Sequence, residues 1–269
     1  MNKSDFSFFD RDLKQNKRAE YRFAPCDALS AFIKEFIVIE CENGMELEIL
    51  PSTSIAIDYI VRGNISITGK DGVKMDLPKA VAYGIAKTAR QFTFSKNTVL
   101  LLVIFKEASA ATVLKGPVNA MAEQIVPLES MFNAKKINQL GQQLKEADSH
   151  KDMVDIMEAF LKTALNPLLM DDLIMKAIHL INHRNGLISI KSLADELNVS
   201  RDVFEKRFRK KVGTTPKQYA NLTRFRNVLR ASTPSKNLTE IALNAGYYDQ
   251  SHFIREFKSF AGKPPSDFR

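Results

Sequence analysis

The rhythm of hydrophobic and polar positions changes along the 269 residues. From about 21 to 110 it has the short period of β-strands. Ile55-Ala-Ile-Asp-Tyr-Ile-Val and Ile65-Ser-Ile-Thr alternate or run apolar, with Arg62-Gly-Asn between them as a turn. Lys70-Asp-Gly-Val is a second hairpin turn, because Asp-Gly readily supplies positive φ. Gln91-Phe-Thr-Phe and Val99–Phe105 follow as two strands divided at Lys96-Asn97. Strands at this spacing predict a small barrel or sandwich. One helix, Cys26 to Ile33, is expected before them.

Beyond about 107 the period lengthens to that of helices. Asn133–Leu144 and Lys151–Leu165 read as amphipathic helices. In the second, Met153, Ile156, Met157, Phe160, Leu161 and Ala164 share one face. Pro167 disfavours helix at Asn166, which places a linker at 165–170. From 171 onwards the pattern is helical throughout. Asp171 and Asp172 open a helix with Leu173, Ile174, Ala177, Ile178 and Ile181 as its buried stripe, and Asn185-Gly186 close it. Residues 1–20, polar with Phe6, Phe8 and Phe9 embedded, read as a flexible arm. The organisation expected is thus an arm, a β-rich domain over 21–165 ending in helices, and an all-α domain over 171–269.

The helical domain repeats itself at an offset of about 49. Phe204, Phe208, Gly213 and Pro216 recur as Phe253, Phe257, Gly262 and Pro265, and basic Lys206 and Arg209 as Arg255 and Lys258. Each copy reads as short helix, tight turn, second helix, glycine stop, over about 189–213 and 237–262. In the first copy, Ser189 and Ser200 stand at helix starts and Asn198-Val199 at the turn. In the second, Asn237-Leu-Thr-Glu240 is a capping box, Ala245-Gly246-Tyr247 turns the chain and Asp249 caps the next helix. Between them, Thr215-Pro216-Lys-Gln218 starts a connecting helix through about Ala231. Two helices joined by a short turn form the unit that lays its second helix in the DNA major groove.

Charge supports that partner. The first 170 residues hold 21 Lys+Arg and 21 Asp+Glu, so the whole net charge of +8 lies in the last 99. Within each second helix the phenylalanines face inward. Ser200, Arg201, Asp202, Glu205, Lys206 and Arg209, then Gln250, Ser251, Arg255 and Lys258, are left as the DNA-binding set. Arg and Lys donate to guanine, Gln pairs with adenine, and Glu accepts from cytosine.

The run from Val199 through Phe204, Phe208, Gly213 and Pro216 to Tyr219 resembles the first half of the AraC/XylS DNA-binding domain. Glu240 through Gly246, Gln250, Phe253 and Phe257, then Gly262-Lys-Pro-Pro-Ser-Asp-Phe-Arg, resembles its second half. The resemblance covers about 171–269. It implies seven helices, two helix-turn-helix units on successive major-groove segments, and base-facing positions at Asp202, Glu205, Lys206, Gln250, Ser251 and Arg255. Arg207 departs from it, standing where the family has an apolar residue, and either snorkels or adds a phosphate contact. Looser likeness at Leu50-Pro-Ser-Thr-Ser, Tyr83-Gly84 and Val126-Pro-Leu implies a cupin-like effector or dimerisation domain. The partners implied are double-stranded promoter DNA, a small-molecule effector and RNA polymerase. The Lys151–Leu165 helix either pairs with its twin in a homodimer or covers the β-rich unit.

Other chemistries find less support. His179 and His183 have i, i+4 metal-ligand spacing, but no acid or cysteine completes a set, and no histidine falls within 21–110 to arm a metal-dependent barrel. No metal or other cofactor is therefore expected, and no catalytic role. Cys26 and Cys41 lie outside any CxxC pattern. They suit small buried hydrophobes, the alternative being alkyl acceptors in a DNA-repair protein or redox sensors. Lys87 and Arg90, near Tyr83, are conceivable anion anchors. The start carries no apolar signal core, and the longest aliphatic run, Val99–Phe105, is far short of the ~20 residues that span a membrane. A cytoplasmic protein is expected.

Overall fold

The structure is a computed structural model that describes residues 11–12, 18–69, 71–116, 118–231, 242–243, 245–247 and 249–267. An antiparallel β-sheet domain with flanking helices precedes an all-helical domain, the two-domain α+β class expected. Nine strands form one sheet: β1 Arg11–Asp12, β2 Ala19–Phe23, β3 Ile33–Ile49, β4 Ala56–Arg62, β5 Ile65–Thr68, β6 Lys74–Asp76, β7 Ala80–Tyr83, β8 Arg90–Phe105 and β9 Ile125–Pro127. Its spatial order is β1-β3-β8-β4-β7-β9, with β2 beside β3 and the β5–β6 hairpin beside β8. Of the arm, Arg11 and Asp12 pair with Glu48 and Leu47.

Two long strands, β3 and β8, carry this sheet, and the sequence pattern divides the second. β8 runs unbroken through Lys96-Asn97, because Asn97 takes a left-handed φ of 56° and bends the strand without ending it. Its later half pairs with β4 and its earlier half with β5. Opposite Ser95, two residues before Asn97, β3 bends at Gly44, whose φ is 75°. A Cβ there would stand 3.0 Å from the Phe94 carbonyl oxygen, so glycine alone suits the close approach. The helix expected at Cys26–Ile33 does not form. Leu29 and Phe32 donate to the carbonyls three residues back, making successive turns that deliver Ile33 into β3.

Strand alternation sorts the side chains onto two faces. Ile37, Ile39, Met45, Leu47, Ala56, Ile60, Val81, Phe92, Phe94, Leu100 and Leu102 form one core, enclosed as the sheet curls on itself. Phe36, Val38, Ile57, Tyr59, Leu101 and Val103 face the other way. Helices α1 Ala134–Glu146 and α2 His150–Ala164 cover that outer face. Gly141 of α1 meets the Tyr59 hydroxyl with no room for a Cβ. The buried stripe of α2 is Val154, Met157, Glu158 and Leu161, rotated from the one expected, so Ile156 and Phe160 stay half-buried. Glu158 causes the rotation. Its carboxylate accepts the Cys26 backbone N–H at 2.7 Å, which allows a charged side chain to point inward.

The segment expected as linker is held at both ends. The Asn166 N–H donates to the Thr112 carbonyl at 2.7 Å, a 3-10 turn follows at Pro167–Leu169, and Lys211 Nζ donates to the Leu169 carbonyl at 2.7 Å. The helical domain then comprises α3 Asp172–His183, α4 Ile190–Glu196, α5 Arg201–Val212, α6 Pro216–Ala231 and α7 Gln250–Ala261. Its apolar core is continuous with the outer face of the sheet.

Candidate nucleic-acid interface

The first helix-turn-helix is built by short-range rules. The Ser189 hydroxyl accepts the Ser192 N–H and starts α4. Asn198 takes a φ of 52°, and the Val199 N–H returns to the Ala194 carbonyl at 3.1 Å, reversing the chain. Ser200 stands at the N-cap of α5, but its side chain makes no capping bond, contrary to expectation. Gly213 ends α5 with a φ of 87°. Phe204, Phe208 and Val212 are buried, and Phe208 meets Phe204 and Tyr219 of α6 edge-on.

The second unit repeats the plan. Gly246 has a φ of 76°, and Asp249 caps α7 by accepting the His252 N–H at 2.7 Å. Phe253, Phe257 and Phe260 face inward, and Gly262 closes the helix at φ 75°. The capping box at 237–240 lies outside the described residues.

The proposed contact residues sit on the outer faces. Ser200, Arg201, Asp202, Lys206 and Arg209 are exposed, and Glu205 is half-buried. Arg201 Nε donates to Glu205 Oε1 at 2.7 Å, one turn away, and that bond holds the guanidinium above its ordinary pKa. On α7, Gln250, Ser251, Arg255 and Lys258 are all exposed, and Arg255 leans back to the Ser251 carbonyl at 3.3 Å. Arg207 has a partner within the protein. Its Nε donates to Asp171 Oδ2 at 2.6 Å, tying α5 to the start of α3.

Two kinds of residue escaped the sequence pattern. Val203 on α5 is 54% exposed and Ile254 on α7 is 37% exposed. Their lack of an inward partner at helical spacing was the available signal, and such side chains suit the thymine methyl group. The other is a buried polar knot. Arg224 of α6 donates to both Glu256 oxygens, at 2.9 and 2.8 Å. The Tyr247 hydroxyl donates to Glu256 Oε1 at 2.9 Å, and the Arg224 guanidinium lies 4.2 Å over the Tyr247 ring. Burial and Glu256 push the Tyr247 phenol up. This knot fixes α6 to the second unit, and no local pattern announces a pair 32 residues apart.

The helical domain also docks on the sheet. The C-terminal end of α5 abuts Val118, the Ala89 N–H donates to the Phe260 carbonyl at 2.8 Å, and Lys263 pairs with buried Glu48 at 2.7 Å. Arg226 Nη1 donates to the Pro51 carbonyl at 3.4 Å. The histidines and cysteines form no site here. Among the described residues no group of three metal-ligating side chains assembles, and His179 and His183 are both exposed. Cys41 is buried in the sheet core, where no alkylated base could reach it, and Cys26 is half-buried. No helix among the described residues is long and apolar enough to cross a membrane.

Residues 193–269 match the helix-turn-helix domain family, and residues 21–127 match a domain of unknown function, DUF6597. The chain is 31% identical over 97 residues to the Msm operon regulatory protein of Streptococcus mutans, covering 36% of this chain and 34% of that protein. It is 32% identical over 91 residues to the transcriptional activator RhrA of Rhizobium meliloti, covering 33% and 29%. To the transcriptional activator RhaS of Escherichia coli it is 30% identical over 91 residues, covering 33% and 32%. It thus spans about a third of the length of these relatives. Among solved structures, ToxT from Vibrio cholerae is similar at 15% identity and a TM-score of 0.46, over 94% of this chain and 97% of that one.

Proposed function

We propose that the chain is a sequence-specific transcription regulator of the AraC/XylS type, responding to an effector through its sheet domain. The observation that carries this reading is the duplicated unit. Two short helices end on left-handed glycines at the same register, bury matching phenylalanines and leave polar faces outward. The net positive charge lies in the same domain.

In this reading α5 and α7 enter successive major-groove segments of promoter DNA. Asp202, Glu205 and Lys206, with Gln250, Ser251 and Arg255, face the bases. Ser200, Arg201, Arg209 and Lys258 take the phosphates. The regulator acts in the cytoplasm, meets RNA polymerase at the promoter, and forms a homodimer through α1 and α2. A DNA-repair role for Cys26 or Cys41 is not favoured, given the burial of Cys41. The domain boundaries that go with this reading are 21–165 for effector binding and 171–269 for DNA.

The test is a gel-shift series on genomic fragments recovered by footprinting. Neutralising about 6–10 phosphates should cost roughly 10³–10⁵-fold in affinity between about 50 and 200 mM salt, because condensed counterions are released on binding. Affinity independent of salt overturns the reading.

A further inference from the structure

The curled sheet encloses one carboxyl group in an apolar lumen. Asp58 lies on β4 between Ala56 and Ile60, facing the same interior, opposite Val81 on β7 and Leu102 on β8. It is 7% exposed, and its Oδ1 has no hydrogen-bond partner. Buried carboxyls normally have their oxygens satisfied, so an orphaned one in an otherwise sound core calls for a ligand group. Oδ1 is not sealed off. Asp58 lines a cavity of about 40 Å³, whose apolar walls include Leu50, Ile65, Phe92 and Phe94.

The same cavity holds a guanidinium, under the field of the Glu123 carboxylate. Arg90, the first residue of β8, lines it, and no carboxylate among the described residues forms an ion pair with its guanidinium. Tyr83 lines the cavity too, its phenol within hydrogen-bond reach of the Asp58 carboxyl and within the field of Arg90. Burial and the adjacent carboxyl push the Tyr83 phenol up, so it stays neutral. The cavity is therefore lined by a carboxyl with an unpaired oxygen, a guanidinium and apolar side chains.

We infer that this lumen binds a small ampholyte, an amino acid whose ammonium group docks on Asp58 Oδ1 and whose carboxylate docks on Arg90, with its methylenes against Phe92 and Phe94. The inference deepens the effector half of the function proposed above and rests on it. The volume limits the body to a few heavy atoms. Burial raises the Asp58 carboxyl to about 7, against the opposing contact with Tyr83. The groups facing it are the Tyr83 phenol and Arg90. An arriving ammonium favours the ionised carboxylate, so docking expels whatever proton Asp58 still holds.

The test is isothermal titration of the full chain with β-alanine, γ-aminobutyrate and δ-aminovalerate, with butyrate and butylamine as one-ended controls. At least one two-ended compound should bind about tenfold or more tighter than either control, the worth of one charge-assisted hydrogen bond. Its binding heat should change with the ionisation enthalpy of the buffer, because a proton is released. Asp58→Asn should erase the advantage over butyrate and the proton release while leaving butyrate affinity unchanged, a split that general damage to the barrel would not give. Arg90→Gln should erase the advantage over butylamine. Equal affinities across the series, no binding by any two-ended compound, or an unaltered profile in Asp58→Asn overturns the inference. A gel shift without any added compound keeps the readings apart: intact DNA binding alongside failed titrations sinks this inference alone.

Discussion

The two helix-turn-helix units share a plan but not a setting. Their inner faces are near copies: Phe204 and Phe208 against Phe253 and Phe257, with ring separations of 5.7 and 5.6 Å. Their outer faces diverge. On α5 the guanidinium of Arg201 is bonded to Glu205, whereas on α7 Gln250, Ser251, Arg255 and Lys258 meet solvent with no acid exposed among them. Their anchors differ as well. An exposed guanidinium, Arg207, ties α5 to buried Asp171, while α7 is held by the Arg224–Glu256–Tyr247 knot. The repeat keeps what folding needs, an apolar stripe and a left-handed glycine, while the exposed faces differ.

The shared inner face can be broken first. Phe208→Ala and Phe257→Ala should each cost about 3–5 kcal/mol, since both truncate a fully buried ring. Chemical denaturation should show equal losses, and a loss confined to one would mean the copies do not contribute alike. The anchors come next. Arg224→Ala leaves Glu256 without its buried cation and should cost roughly 3–5 kcal/mol. Arg207→Ala should cost less than ~1 kcal/mol, because Arg207 is half in solvent. Similar costs would erase the distinction between the anchors.

The outer faces give smaller effects on binding. Arg255→Ala should weaken binding at a footprinted site by about 1–3 kcal/mol and relax the preference at one base pair, measured by competition with altered sites. Smallest is Glu205→Gln. Freeing Arg201 should steepen the salt dependence by about one phosphate and tighten binding to random duplex a few-fold. Weaker binding to random duplex in that variant would mean that Glu205 orients Arg201 toward the backbone instead of restraining it.

What the sequence disclosed follows the range of each interaction. The helical domain is governed by contacts within four residues: Ser189, Asp249, Gly213 and Gly262 sit where capping physics places them, and the inward phenylalanines follow a 3.6-residue period. The sheet was less legible. β3 and β8 pass through Asn43-Gly44 and Lys96-Asn97, pairs that usually stop a strand, because each bend is held by its partner strand. The rotated stripe of α2 depends on Glu158 meeting a backbone N–H 132 residues away. Arg207 was misjudged for the same reason, its partner lying 36 residues back. The orphaned oxygen of Asp58 could not be seen at all, since a single acid in an apolar strand gives no hint of which face it takes.

The anchored linker has a consequence for how signals pass. A tether this short keeps the helical domain near the sheet at an effective concentration in the millimolar range or above. The docking bonds, Lys263 to Glu48, Phe260 to Ala89 and Arg226 to Pro51, therefore need little intrinsic affinity to remain closed. Leu50 and Pro51 are neighbours of Glu48 on the cavity side, and Arg90 follows Ala89 directly. A molecule in the lumen would thus act beside the docking bonds, and by reciprocity any partner that shifted the helical domain would change the lumen's affinity by the same factor.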